Sequence, residues 1–223
     1  MATPLDLEEQ EQLDQIKHFW KTYGNLISWL LIAILGSYAA WNGYQYWERT
    51  QATKAAALYD EVERAAAAGD VARVERSLAD MKDKFGSTQF AQQSALLAAK
   101  TLQAQGKTDA AREALSWVAN GASDKAYRDI ARLRLAALQL DAKAYDEALK
   151  PLSGEFTPAM VGLAADLRGD VLQAKGQTAE AIAAYQQAWQ KLADTPDYRR
   201  LVQAKLNALG IEPDAAVLSE TPK

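Results

Sequence analysis

The stretch "TYGNLISWLLIAILGSYAAWNGYQYW", Thr22 to Trp47, carries no charged residue and is closed by Lys21 on one side and Glu48 on the other. As a helix its 26 residues would measure about 39 Å at ~1.5 Å per residue. The hydrocarbon core of a bilayer is only ~30 Å thick. The centre, Leu26 to Leu35, is almost wholly Leu, Ile, Ala and Trp, and Trp20, Tyr23, Trp41, Tyr44, Tyr46 and Trp47 gather at the ends. Aromatic side chains concentrate in this way at the two membrane interfaces, and a buried core helix has no use for such a girdle.

A cleaved signal peptide is the rival reading, since "SYA" at Ser37 to Ala39 resembles a small-residue cleavage site. Signal peptides, however, have short basic leaders and short apolar cores. Here the leader "MATPLDLEEQEQLDQIKHFWK" is long, carries five carboxylates, and the apolar run continues past Ala39. The expectation is an uncleaved single-pass anchor at 22–47 behind a short tail at 1–21. Two cations flank each end (Lys17 and Lys21; Arg49 and Lys54), so the bias of cationic loops toward the cytoplasm gives no orientation. Along the span Ala33, Gly36, Ala40 and Gly43 follow at steps of three or four, with Ser37 four after Ala33. Such a small-residue face either admits another helix closely or simply lies in lipid.

Beyond Trp47 nearly everything is helical signal. Apolar residues recur at three and four to about Asn207, and no alternating β-branched run suggests a strand. The chain is therefore expected to be all-α. The turns repeat. Aligning Gly69, Gly106, Lys143 and Gly176 gives spacings of 37, 37 and 33 residues. Five residues after each turn stand Val74, Ala111, Ala148 and Ala181; nine after stand Leu78, Leu115, Leu152 and Tyr185. Seven before stand Val62, Ala99, Ala136 and Gly169. Glycine at the turn supplies a positive φ that ends the first helix. Small residues let paired helices approach, and the later large residue fills the groove. One pair cannot bury its apolar face, so neighbours must stack.

This pattern resembles tetratricopeptide repeats, with Gly176, Ala181, Tyr185 and Ala188 of the last unit the best match and Val74 of the first the weakest. The resulting expectation is an α-solenoid of about four helix pairs at 48–210, closed by a capping helix that starts at Pro196 and followed by a mobile tail at 211–223.

The inventory for chemistry is thin. A net charge of −4 argues against a nucleic-acid surface, and the absence of cysteine removes thiolate metal sites and thiol nucleophiles. The single histidine, His18, has no partner implied nearby, and no phosphate loop, paired-His motif or nucleophile elbow is present. No enzyme, cofactor, metal or small-molecule substrate is expected. What remains is an interaction surface. The repeat register places Tyr59, Glu63, Leu96, Lys100, Leu133, Leu140, Asp166 and Asp170 on the concave side. The leucines would instead be core if the array is tightly wound. Asp166 and Asp170, one turn apart, could receive a basic partner, though an exposed acidic face is the simpler expectation.

The tail "LDLEEQEQLDQIKHFWKTYGN", the span, the junction "YWERTQATKAAALYDEV" and the unit "GDVLQAKGQTAEAIAAYQQAW" together resemble the YfgM-type ancillary SecYEG translocon subunit family. The resemblance implies a bacterial inner-membrane protein, N-terminus cytoplasmic and repeats periplasmic. It also implies association with the SecYEG translocon, the chaperone PpiD and exported client polypeptides, and no catalytic residues. The residues alone leave open a cytoplasm-facing tethered scaffold that binds peptides or regulators.

Overall fold

The computed structural model describes residues 7–192 and 195–213; residues 214–223 of the expected mobile tail and the first six of the N-terminal tail lie outside them. Every regular element among the described residues is a helix: α1 (Leu7–Ala67), α2 (Val71–Phe85), α3 (Gln89–Ala104), α4 (Thr108–Gly121), α5 (Lys125–Asp141), α6 (Tyr145–Leu149), α7 (Pro158–Ala174), α8 (Thr178–Lys191) and α9 (Pro196–Ala208). The chain divides into two units, Met1–Gln51 and Ala52–Lys223.

The described part of the first unit is a single helix whose side chains are nearly all exposed. Leu26, Trp29, Leu30, Leu31, Ile32, Ile34 and Leu35 are all exposed. Each is worth about 1.5–3 kcal/mol on burial, so together they favour leaving water by more than about 10 kcal/mol. The polar side chains in the run turn back on the helix. Ser37 Oγ donates to the Ala33 carbonyl at 2.7 Å, and Asn42 Nδ2 to that of Tyr38 at 2.9 Å. Bonding to the carbonyl one turn back satisfies these groups without water. Aromatic pairs sit at both ends: Phe19 and Tyr23 rings lie 5.1 Å apart, and Tyr44 and Trp47 rings 6.1 Å apart. The segment is long and apolar enough to cross a membrane.

The second unit stacks helix pairs. The end of α1 pairs with α2, α3 with α4, α5 with α6, and α7 with α8, while α9 covers the last pair. The four turn positions aligned by sequence share one backbone state: Gly69 (φ 66°), Gly106 (φ 74°), Lys143 (φ 59°) and Gly176 (φ 84°). Each closes the preceding helix with the same two bonds. At Gly106 the amide donates to Gln103 O at 3.0 Å, and the Lys107 amide reaches back to Leu102 O at 2.8 Å. This Schellman arrangement satisfies carbonyls that the helix end would otherwise leave open. Gly210, at φ 78°, ends α9 in the same way.

The register read from sequence is the packing register. All twelve residues at five after, nine after and seven before the turns are buried. The core runs along the array as successive clusters, from Ala55, Met81 and Ala91, through Val74, Leu102, Leu115 and Val118, to Tyr185, Val202 and Leu206. Gly169 shows how close the approach is: a Cβ there would come within 2.4 Å of the Tyr185 ring.

The third pair departs from the pattern. Its second helix, α6, lasts five residues, because Pro151 cannot continue it and Ser153 and Gly154 follow. Arg132 holds the replacement loop. Its Nε donates to Pro151 O at 2.8 Å, Nη1 donates to Glu155 O at 2.7 Å, and the guanidinium lies 3.8 Å from the Phe156 ring. Asp129, 4% exposed, accepts from the Thr157 amide at 2.8 Å and so fixes the start of α7.

Lys143 is the one non-glycine residue with positive φ among those described. A side chain in that region costs on the order of 1 kcal/mol. Replacing Lys143 by Gly is expected to stabilise the array by several tenths of a kcal/mol, after the greater freedom of glycine in the unfolded chain is subtracted. Gly106→Ala is expected to cost on the order of 1 kcal/mol. Urea denaturation followed by circular dichroism measures both.

Candidate protein-interaction surface

Three of the eight residues assigned to the concave side present themselves to solvent or a groove. Glu63 on α1 and Lys100 on α3 are exposed and line a groove of about 330 Å³. Its other walls are Ala66, Leu97, Thr101 and Gln105. The floor is small or apolar and carries one charge of each sign on opposite helices. Tyr59 is half-buried, its ring 5.8 Å from that of Phe90. Burial pushes its phenol pKa up, and the Glu63 charge adds to the effect.

The remaining five are occupied by the fold. Leu96 is buried in the core, and Leu133 and Leu140 pack against the cluster of Ala136, Ala148 and Val171. The helices wind tightly enough for these leucines to serve as core. Asp166 is 2% exposed, and Asp170 is half-buried. The simpler expectation of an exposed acidic face therefore gives way to an internal ion cluster. Lys205 of α9 reaches both: its Nζ lies 2.9 Å from each carboxylate oxygen of Asp166 and 2.7 Å from Asp170 Oδ1. Tyr198 donates to Asp166 Oδ2 at 2.8 Å, and Tyr185 donates to Asp170 Oδ1 at 2.8 Å. The cluster ties α7, α8 and α9 together.

Burial first, and then the bond to its aspartate, pushes the Tyr185 phenol well above its ordinary value of 10.0; the same causes act on Tyr198 through Asp166. Sequence reasoning missed Lys205 and Tyr198 because they lie 39 and 32 residues from Asp166. No local spacing announces such a contact. Arg132 and Asp129 had a weak signal, an i,i+3 pair ahead of a Pro–Gly break that some side chain had to hold.

On α1, Gly36 and Gly43 face open space: among the described residues a Cβ at either would meet nothing within 4 Å beyond the adjacent helix backbone. Gly24 differs, since the Trp20 indole covers it at 3.2 Å. Among the described residues, Gly36 and Gly43 therefore serve no packing contact. Among the described residues no three His, Asp or Glu side chains converge as a metal site would need.

Four stacked helix pairs closed by left-handed turns, a small-residue register and a preceding apolar helix define a tetratricopeptide repeat-like protein with a candidate membrane anchor. The tetratricopeptide repeat-like domain family matches residues 17–211. Curated relatives named ancillary SecYEG translocon subunit match over nearly their whole length. The protein of Neisseria gonorrhoeae is 33% identical over 209 residues, covering 91% of this chain and 98% of that protein. Those of Escherichia coli and Haemophilus influenzae are 28% and 26% identical, covering 91% of this chain and 97% and 98% of theirs. No solved structure gives a significant match. The chain belongs to the ancillary SecYEG translocon subunit family.

Two consequences follow from the ion cluster. Replacing Lys205 with Met leaves Asp166 buried beside an unneutralised second carboxylate and is expected to cost about 3 kcal/mol in urea denaturation. The two tyrosines add a pH dependence. Their folded pKa values lie above the unfolded value, so their contribution is complete below about pH 10 and is lost as pH rises through the folded values. Stability measured from pH 8 to 11 should therefore fall more steeply above pH 10 in the parent than in a Tyr185→Phe, Tyr198→Phe chain.

Proposed function

We propose that this protein is a membrane-anchored adaptor of the bacterial export machinery. In this reading residues 1–21 form a cytoplasmic tail, 22–47 cross the inner membrane once, and the repeats at 48–210 stand in the periplasm. The anchor associates with the SecYEG translocon. The repeats bind exported polypeptides and chaperones such as PpiD, and hand the one to the other without catalysing a reaction. The observation that carries the reading is the helical run at 22–47, whose large apolar side chains are exposed among the described residues and need lipid or another helix. The names of the curated relatives support the choice of partner.

The glycines with open space above them give the anchor a contact face. Ala33, Gly36, Ser37, Ala40 and Gly43 form that face, and Tyr59, Glu63 and Lys100 offer the accessible part of the concave surface. Replacing Gly36, Ala40 and Gly43 together with Leu would fill the face. Helix packing of this kind is worth ~1–2 kcal/mol, so co-purified SecYEG in mild detergent should fall about tenfold. Unchanged recovery would remove the small-residue face from the proposal. A compartment-sensitive reporter fused after Lys223 is expected to be active only in the periplasm. Activity in the cytoplasm would favour the alternative of a cytoplasm-facing scaffold that binds peptides or regulators.

A further inference from the structure

A second groove lies between α2 and α4, the second helices of the first two pairs, and encloses about 570 Å³. Leu78 of α2 and Leu102 of α3 form its floor, and Ala79, Ala110 and Ala114 leave its walls low. Its rim is acidic. Glu75 and Asp83, two turns apart on α2, face Glu113 on α4.

The charges on these helices are sorted by direction. Asp80 and Asp109, which do not line the groove, are neutralised within their own helices, by Lys84 at 2.8 Å and Arg112 at 2.6 Å. Glu75, Asp83 and Glu113 have no such ion pair among the described residues. The one cation in the groove, Lys82, is half-buried with its ammonium 5.5 Å from the centre of the Trp117 ring. Three carboxylates against one lysine leave the rim negative over an apolar floor.

We propose that this groove docks a basic amphipathic helix of a partner protein. Apolar residues at i, i+3, i+4 and i+7 would lie against Ala79 and Ala110, over the edge of Leu78, in the manner of other helix-in-groove complexes. The alanines admit the incoming backbone, and Lys or Arg on its flanks would meet Glu75, Asp83 and Glu113. α2 has 15 residues, about 22 Å at ~1.5 Å each, so an occupant of about four turns fills the length. The surface is separate from the Glu63–Lys100 groove and does not depend on which compartment holds the repeats.

The test uses the full chain in uncharged nanodiscs, which keeps a basic probe off the lipid. A fluorescein-labelled amphipathic helix of leucine and lysine, about 18 residues long, is titrated by anisotropy against a leucine–glutamate counterpart. The lysine peptide is expected to bind and the glutamate peptide to bind at least about tenfold more weakly, with affinity falling as salt rises. Glu75→Lys with Glu113→Lys should weaken the lysine peptide at least about tenfold, and so should Ala79→Trp, which fills the groove without changing charge. Glu63→Lys, in the other groove, should leave it unchanged. All four positions are exposed, and circular dichroism melts check that each variant folds. The proposal is overturned if the parent fails to bind the lysine peptide, if Ala79→Trp binds like the parent, or if Glu63→Lys weakens binding as much as the groove variants do.

Discussion

Two helices in this array can lie together only where their facing surfaces are nearly bare. That constraint sets the identity of Ala111, Ala148 and Ala181 on one helix of a pair and of Ala99, Ala136 and Gly169 on the other. All six are buried. Gly169 makes the limit explicit, since a single added carbon would collide with the Tyr185 ring. Close approach also demands a sharp return of the chain, which the left-handed turn residue and its two back-bonds provide. Once the pair is closed, its remaining apolar surface has nowhere to go but onto the next pair. The stack follows from that, and so does a core strung along the unit as successive clusters.

The same constraint explains where the array spends charged groups internally. A solenoid has two ends, and the last pair needs a cover with a polar outer face. α9 supplies it with Val202 and Leu206 facing inward, and Lys205 aims at two aspartates of α7. The third pair has the opposite problem, a second helix cut short at Pro151. A guanidinium there donates to two loop carbonyls and stacks on Phe156, doing for the loop what the missing helix turns would have done. Both devices are costly to bury and tolerable because nearly every lone pair and proton involved has a partner.

The repeat was legible in the sequence because it is written in local spacing. The register of small and large residues is the packing register, and even Lys143, which lacks the glycine signature, adopts the left-handed turn of its aligned position. Steric demands of that kind act within a dozen residues and leave a trace that alignment by eye can find. The ion cluster left none. Asp166 and Asp170 were visible as an i,i+4 acidic pair, but what neutralises them comes from the capping helix. The truncation of α6 is a similar case: "KPLSGE" contains the breaker, and only the folded position of Arg132 shows that the loop is held. Leu96, Leu133 and Leu140 went to core because the tightness of winding depends on every pair at once.

Function in such a chain is a question of which apolar and charged groups the fold leaves unused. In the repeats the buried acids, Asp129 and Asp166, have a backbone amide or a cation, and most large apolar residues are inside. Among the acids without such a partner, Glu63 stands with Lys100 at one groove, and Glu75, Asp83 and Glu113 line another. In the first unit the accounting is wide open. Its aliphatic side chains face outward along more than six turns, and Gly36 and Gly43 have open space above them. Lipid can satisfy the leucines and isoleucines but gains nothing from a glycine, which loses backbone entropy in a helix relative to alanine. Another helix packed on Gly36 and Gly43, as proposed above, would offset that cost. In the proposed reading the anchor would then take part in assembly as well as act as a tether, and the adaptor proposal is tied to a surface that can be filled.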